Sequence, residues 1–144
     1  MKRIAQDIKS GQFSNVYLLY GEEAYLRKQY RDNLKKALVT EEDTMNCNLF
    51  SGKEINENEV IDLAETMPFF AERRVLIIEN SGWFKSGNDK IVELVKKLSS
   101  TTILLFVEEE VDKRGKLFKA VSAKGYAALC VMQDEATLKK WIMG

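Results

Sequence analysis

The chain has 144 residues, enough for a single domain with a substantial hydrophobic core. Its 22 basic and 22 acidic residues balance to a formal charge of zero, so there is no long-range positive field to hold a nucleic-acid backbone. Two cysteines and no histidine argue against a zinc site and against Ser-His-Asp or Cys-His catalysis.

Apolar runs alternate with amphipathic segments along the chain. Ile4, Ile8 and Phe13 predict a short first helix that Gly11 stops. The continuous apolar runs are typical of strands buried on both faces, and they lie at residues 16–20, 75–78 and 102–107. Two further strands are predicted at residues 46–50, where apolar and polar side chains alternate as in an edge strand, and at residues 127–132.

Helical patterns separate these strands. Helices are predicted at residues 25–38, 57–66, 89–98, 117–121 and 135–143. Residues 80–87 predict a loop, in which Trp83 and Phe84 either cover the edge of the sheet or form a stacking platform. Five alternations of strand and helix without hairpin turns predict one α/β domain of three layers, with a five-stranded parallel sheet.

Two features concern location and extent. No run of about 18 apolar residues could span a bilayer, and the first ten residues lack the apolar core of a signal peptide, so we expect a cytoplasmic protein. The last predicted helix is still in progress at Gly144, so we expect residues 1–144 to be a fragment of a longer protein.

A phosphate-binding loop would follow the first strand, because ligands of parallel sheets bind beyond the carboxyl ends of the strands. Gly21 stands there, but no second glycine precedes Lys28 and no Ser or Thr follows it. Backbone amides then cannot wrap a phosphate, magnesium lacks its hydroxyl ligand, and Glu22 and Glu23 repel a triphosphate. We predict a degenerate loop that does not bind nucleotide, with a P-loop-type enzyme as the alternative.

Other charged groups are weaker candidates. Glu79 ends a strand where a nucleotide hydrolase carries an acidic pair, although a solvated strand end is the simpler interpretation. The triplet 108–110 could bind magnesium, but a charge run after a strand is more often a solvated loop. Lys113, Arg114 and Lys116 could contact DNA in an auxiliary way, which gives a second alternative function.

Residues 67–70, which we call the aromatic segment, contain Met67, the only proline, Phe69 and Phe70. Neighbouring side chains face different ways in a helix or a strand, so one phenylalanine is expected to be exposed. Exposed aromatic pairs usually mark a contact with another macromolecule. From the residues alone, a hydrophobic corner packed onto the sheet is the stronger alternative, because most phenylalanines belong to the core.

Several blocks, in the same order, resemble the amino-terminal domain of the bacterial DNA polymerase III delta subunit family, whose members open the sliding clamp as clamp-loader subunits. The resemblance covers essentially the whole chain and is most specific at residues 62–80. The matching blocks are Val16-Tyr17-Leu18-Leu19-Tyr20-Gly21-Glu22-Glu23, Phe50-Ser51-Gly52, Met67-Pro68-Phe69-Phe70-Ala71-Glu72-Arg73-Arg74-Val75 and Leu104-Leu105-Phe106-Val107.

The resemblance implies an AAA+-like fold with a decayed nucleotide site. It implies that Phe69 and Phe70, with Met67 beside them, insert into a pocket on the sliding clamp, the beta subunit; many members carry Leu where this chain has Phe69. It also implies a helical lid and a carboxyl-terminal collar domain that joins the other clamp-loader subunits, neither of which is present in these 144 residues. We therefore predict a noncatalytic module of the DNA polymerase III holoenzyme that binds the clamp and helps open it, without ATP, cofactor, membrane or direct DNA contact.

Overall fold

The computed structural model describes residues 2–11, 13–38, 47–52, 54–65, 74–98 and 101–129. Its centre is a sheet of five strands in the order β2-β3-β4-β1-β5, and all paired strands are parallel. The strands are β1 (Val16–Tyr20), β2 (Cys47–Ser51), β3 (Arg74–Glu79), β4 (Thr102–Glu108) and β5 (Tyr126–Leu129).

Helices cover both faces of this sheet. The helices α1 and α2 pack on one face and α3 to α6 on the other, which confirms the predicted three-layer α/β architecture. Their bounds are α1 (Lys2–Ser10), α2 (Ala24–Leu38), α3 (Glu57–Glu65), α4 (Trp83–Ser86), α5 (Asp89–Lys96) and α6 (Lys116–Lys124). The predicted helix at residues 135–143 lies outside the described residues.

The strands β1, β3 and β4 are buried on both faces, as their continuous apolar runs predict. Side chains alternate between the two faces. Leu18, Leu76 and Phe106 join the core under α3 to α6, whereas Tyr17 and Ile77 join the core under α1 and α2. The edge position predicted for β2 is confirmed, because it pairs only with β3 among the described strands.

The amino-terminal helix is tied to the sheet by a buried polar contact. The Tyr17 hydroxyl donates to Asp7 Oδ2 at 2.7 Å and accepts from the Ser14 amide at 2.9 Å. Burial, with the neighbouring Asp7 carboxylate, raises the pKa of Tyr17 to about 12. The helix α1 ends at Ser10, so Phe13 lies beyond it and packs, half-buried, on the same core.

The predicted loop at residues 80–87 is only partly a loop, because it contains the single turn α4. Gly82 and Gly87, with φ of 78° and 86°, bracket this turn. Trp83 and Phe84 are buried in the core, and the Phe84 ring meets the Phe106 ring edge to face at 5.1 Å between centroids. The stacking-platform interpretation of Trp83 and Phe84 was therefore wrong, since these side chains cover the face of the sheet.

The parallel sheet has two chemically different edges. All five strands end at one edge of the sheet, which we call the carboxyl edge, and all begin at the opposite edge, which we call the amino edge. The loop after β1 belongs to the carboxyl edge. The chain leaves α3 at Glu65 and enters β3 at Arg74, and both of these ends belong to the amino edge.

Within the part of the chain that the structure describes, no helix is both long enough and apolar enough to cross a membrane.

Gly125 provides a test of the packing between α6 and β1. Its amide donates to the Val121 carbonyl at 2.8 Å, and a Cβ atom there would stand 1.8 Å from the Val16 carbonyl oxygen. We expect Gly125→Ala to lower the free energy of unfolding by about 2 kcal/mol or more, because the backbone of β1 must shift. Chemical denaturation should show this, with the exposed Ser122→Ala on α6 as the matched control. Equal stability of the two variants would contradict this packing.

Candidate functional site

The loop between β1 and α2 consists of three residues, Gly21 to Glu23, because β1 ends at Tyr20 and α2 begins at Ala24. Gly21 is buried with φ of 126°, whereas the Glu22 side chain is exposed and Glu23 is half-buried. Lys28 lies in the second turn of α2 and is exposed. A phosphate-binding loop is longer and brings its lysine to the opening turn of the helix. That this loop does not bind nucleotide remains a prediction. A loop of three residues offers few backbone amides that could surround a phosphate.

Glu79 at the end of β3 forms an ion pair with Arg31 of α2, between Oε1 and Nη1. Their side chains are 15% and 23% exposed, and Arg31 also reaches Asp32 Oδ1 at 3.0 Å. The solvated strand end expected for Glu79 was therefore wrong. Glu79 shares a sheet face with Val75 and Ile77, and α2 covers that face.

Glu108 was expected in a solvated acidic loop, but it is the last residue of β4 and is only 2% exposed. Its Oε1 accepts hydrogen bonds from the Ser81 amide at 3.1 Å and from the Ser81 hydroxyl. Burial raises the pKa of Glu108 above its usual range, and the hydrogen bonds from Ser81 and the charge of Arg27 offset only part of that rise.

The remaining acidic residues of the triplet, Glu109 and Glu110, are exposed. Glu110 Oε2 pairs with Lys85 Nζ at 2.6 Å, which lowers the pKa of Glu110. Among the described residues, no three His, Cys, Asp or Glu side chains are grouped so that they could hold a metal ion.

Two of the three basic residues near the start of α6 contact different groups. Lys113 Nζ lies 5.6 Å from the centroid of the Tyr20 ring, and Arg114 Nε lies 3.4 Å from Asp112 Oδ1. Lys116 is the exposed first residue of α6. The acidic residue Asp112 lies beside these cations, so the surface is mixed in sign. Contact with DNA through Lys113, Arg114 and Lys116 remains a prediction.

The aromatic segment, with Met67, Phe69 and Phe70, lies outside the described residues. The elements on either side of it are described, and both are anchored. Val60 and Ala64 of α3 are buried in the core, and the Ala64 carbonyl accepts a hydrogen bond from the Thr102 hydroxyl at 2.8 Å.

On the other side, β3 begins at Arg74, whose amide donates to the Thr101 carbonyl at 2.7 Å. Arg74 is only 6% exposed, and its Nη1 reaches Asn48 Oδ1 of the neighbouring strand at 3.4 Å. The far end of α3 is also held, since Glu57 Oε2 accepts from Asn88 Nδ2 and Glu57 Oε1 lies 3.5 Å from Lys90 Nζ.

Sequence reasoning missed the residues that form these anchors. Thr102 was read only as part of an apolar run, and Arg31 only as part of an amphipathic helix. Two weak signals were present. Thr102 places a hydroxyl at the start of an otherwise apolar strand, and Arg74 is a basic residue next to Arg73. Neither signal names a partner, because the Thr102 hydrogen bond joins residues 38 positions apart.

The buried carboxyl of Glu108 predicts a pH-dependent effect on stability. A carboxyl whose pKa is raised by folding stabilises the folded state at low pH, and that contribution is lost as the pH rises through the raised pKa. Glu108→Gln does not titrate. We expect its free energy of unfolding, relative to the unchanged chain, to increase from about pH 4 to about pH 7.

Urea titrations at several pH values measure this difference. The exposed neighbour offers the matched control Glu109→Gln, whose difference from the unchanged chain should vary little over the same range. If the difference in free energy of unfolding between Glu108→Gln and the unchanged chain is constant with pH, the rise in the Glu108 pKa on folding is contradicted.

Known proteins share both the sequence pattern and the fold described above. A sequence model of the family described as DNA polymerase III, delta subunit, matches residues 17–130. The DNA polymerase III subunit delta of Bacillus subtilis (strain 168) is 31% identical over 134 aligned residues, covering 84% of this chain and 38% of that protein. The chain thus spans well under half the length of this relative.

Solved structures agree. The Bacillus subtilis DNA clamp loader delta protein superposes with a TM-score of 0.86 at 23% identity, covering 97% of this chain and 45% of that one. The RuvB Holliday junction branch migration motor of Thermotoga maritima shares the fold with a TM-score of 0.55 at 13% identity, over 98% of this chain and 47% of that one. The fold is AAA+-like, and the chain belongs to the DNA polymerase III delta subunit family.

Proposed function

We propose that this chain is the part of a clamp-loader delta subunit that binds the sliding clamp through Met67, Phe69 and Phe70 and helps to open the ring during DNA replication. Membership in the delta subunit family supports this proposal. One observation carries it. Ala64, before the aromatic segment, and Arg74, after it, are both hydrogen-bonded to the chain at the start of β4, at the amino edge of the sheet.

The chemistry of the aromatic segment suits a protein interface. An aromatic side chain can bury about 150–250 Å² on docking, and it has few rotatable bonds whose freedom is lost. The hydrogen bonds that hold Ala64 and Arg74 reduce the entropic cost further, because the elements that flank the aromatic segment are already fixed to the sheet before binding. Two adjacent aromatic side chains of this kind can supply most of the binding energy of an interface.

Ring opening adds a second requirement. A protein shifts the equilibrium between a closed and an open ring only by the difference between its affinities for the two forms. The proposed module therefore binds the open or distorted clamp interface more tightly than the closed one. Binding energy alone supplies this shift, so the chain needs no chemical step of its own.

The carboxyl edge is proposed to be noncatalytic and free of nucleotide. The loop from Gly21 to Glu23 is short, and the carboxylates that end β3 and β4 are engaged by the chain itself. Glu79 pairs with Arg31, and Glu108 accepts from Ser81. Membership in the delta subunit family also favours contact with the other clamp-loader subunits, in the cytoplasm where replication takes place.

The clamp-binding proposal predicts the effect of removing both rings. Phe69→Ala together with Phe70→Ala should weaken binding to the sliding clamp by at least about 2 kcal/mol, or roughly thirtyfold in Kd, because the main anchors are lost. Surface plasmon resonance with immobilised clamp measures the affinity, and circular dichroism checks the fold.

Tyr25→Ala is the matched control, because Tyr25 is an aromatic residue that is 69% exposed at the start of α2 on the carboxyl edge. Its affinity for the clamp should equal that of the unchanged chain. If the double phenylalanine variant also binds with unchanged affinity, the assignment of the aromatic segment is wrong.

The absence of nucleotide binding is tested separately. Isothermal calorimetry of the purified chain with ATP and magnesium should give no saturable heat, because the short loop after β1 lacks the amides and the hydroxyl that hold a nucleotide. An intact P-loop ATPase serves as the positive control. A saturable, magnesium-dependent heat that disappears in Lys28→Ala would restore the enzyme interpretation.

A further inference from the structure

The start of β4 holds both ends of the chain that borders the aromatic segment. The Thr102 hydroxyl donates to the Ala64 carbonyl at 2.8 Å, and the Thr102 side chain is completely buried. Ala64 lies in the last turn of α3, where the carbonyls have no partner within the helix. A hydroxyl from a strand 38 residues away therefore satisfies a carbonyl at the helix end.

The residue before Thr102 holds the start of β3. The Arg74 amide donates to the Thr101 carbonyl at 2.7 Å, and Arg74 pairs with Thr102 in the parallel register of β3 and β4. Residues 66–73 thus connect two points that are both fixed to the dipeptide Thr101 and Thr102. We call this dipeptide the threonine step.

The threonine step is itself fixed from the other side. Asn15, just before β1, donates from Nδ2 to the Thr102 carbonyl at 3.0 Å, and the Asn15 carbonyl accepts from the Leu104 amide at 2.8 Å. The side chain of a β-branched residue such as Thr102 has few rotamers, so its hydroxyl points in one direction. The end of α3 is therefore attached to the centre of the sheet through a short and stiff series of hydrogen bonds.

We propose that Thr102 is a positioning residue for clamp binding: its hydroxyl fixes the end of α3, the helix that precedes Met67, Phe69 and Phe70 in the sequence. This inference rests on the proposed function of the aromatic segment. Without the hydroxyl, the end of α3 samples more than one arrangement, and only a fraction of the molecules can bind. An apparent Kd increases by the inverse of that fraction.

Two substitutions at Thr102 separate the hydroxyl from the shape of the side chain. Thr102→Val keeps the shape and loses the hydroxyl, whereas Thr102→Ser keeps the hydroxyl. We expect Thr102→Val to raise the Kd for immobilised sliding clamp about five- to twentyfold, chiefly through slower association, because loss of order before binding acts in this way. Thr102→Ser should stay within about twofold of the unchanged chain.

A merely structural role would lower stability without changing the affinity of folded molecules. Val121→Ala in α6 supplies that comparison, because Val121 is completely buried in another helix. Concentrations of folded protein are set from denaturation curves, and Val121→Ala should bind the clamp as the unchanged chain does. If Thr102→Val also binds with unchanged affinity, the positioning role is overturned.

The two proposals fail in different ways. Unchanged clamp binding by the Phe69 and Phe70 variant overturns the proposed function. Weakened binding by that variant together with normal binding by Thr102→Val overturns only the positioning role.

A second variant is available if Thr102→Val does not fold. Asn15 is half-buried, and Asn15→Ala removes the side-chain amide that donates to the Thr102 carbonyl. It should raise the Kd about two- to fivefold, and an unchanged Kd overturns the inference.

Discussion

Burial of β1, β3 and β4 on both faces is the constraint on which this structure depends. Strands of this kind leave no face open to water, so each of the connections between consecutive strands contains a helix that covers the sheet. The strands therefore all begin at the amino edge and all end at the carboxyl edge. The loop after β1, where nucleotide chemistry would be sought, consequently lies at the opposite edge of the sheet from the start of β3, which follows the aromatic segment in the sequence.

The carboxyl edge shows how the chain satisfies its own buried charges. The guanidinium of Arg31 neutralises the half-buried Glu79 carboxylate, and this pair ties α2 to β3. The carboxyl of Glu108 is more deeply buried, and this burial raises its pKa although the hydrogen bonds from Ser81 offset part of the rise. These contacts join α2 to the end of β3 and the loop residue Ser81 to the end of β4.

The sequence predicted the strands of the sheet centre well, because burial on both faces produces continuous apolar runs such as Val16–Tyr20. The alternation in β2 likewise identified an edge strand. The single turn α4 was missed, because four residues between two glycines carry no helical period. The burial of Glu108 was missed as well, because a charge that follows an apolar strand usually ends in solvent, and the Ser81 contact spans 27 residues.

For the proposed ring opening, the stiffness of the attachment matters as much as the aromatic side chains themselves. Rings on a loose tether could follow the clamp surface through its closed and open forms and bind both equally, and equal binding shifts no equilibrium. A segment whose flanking residues Ala64 and Arg74 are hydrogen-bonded to the threonine step would fit one form better than the other, because its two points of attachment keep their places. The anchoring of Ala64 and Arg74 to β4 would then convert the affinity of the aromatic segment into a preference for one shape of the clamp.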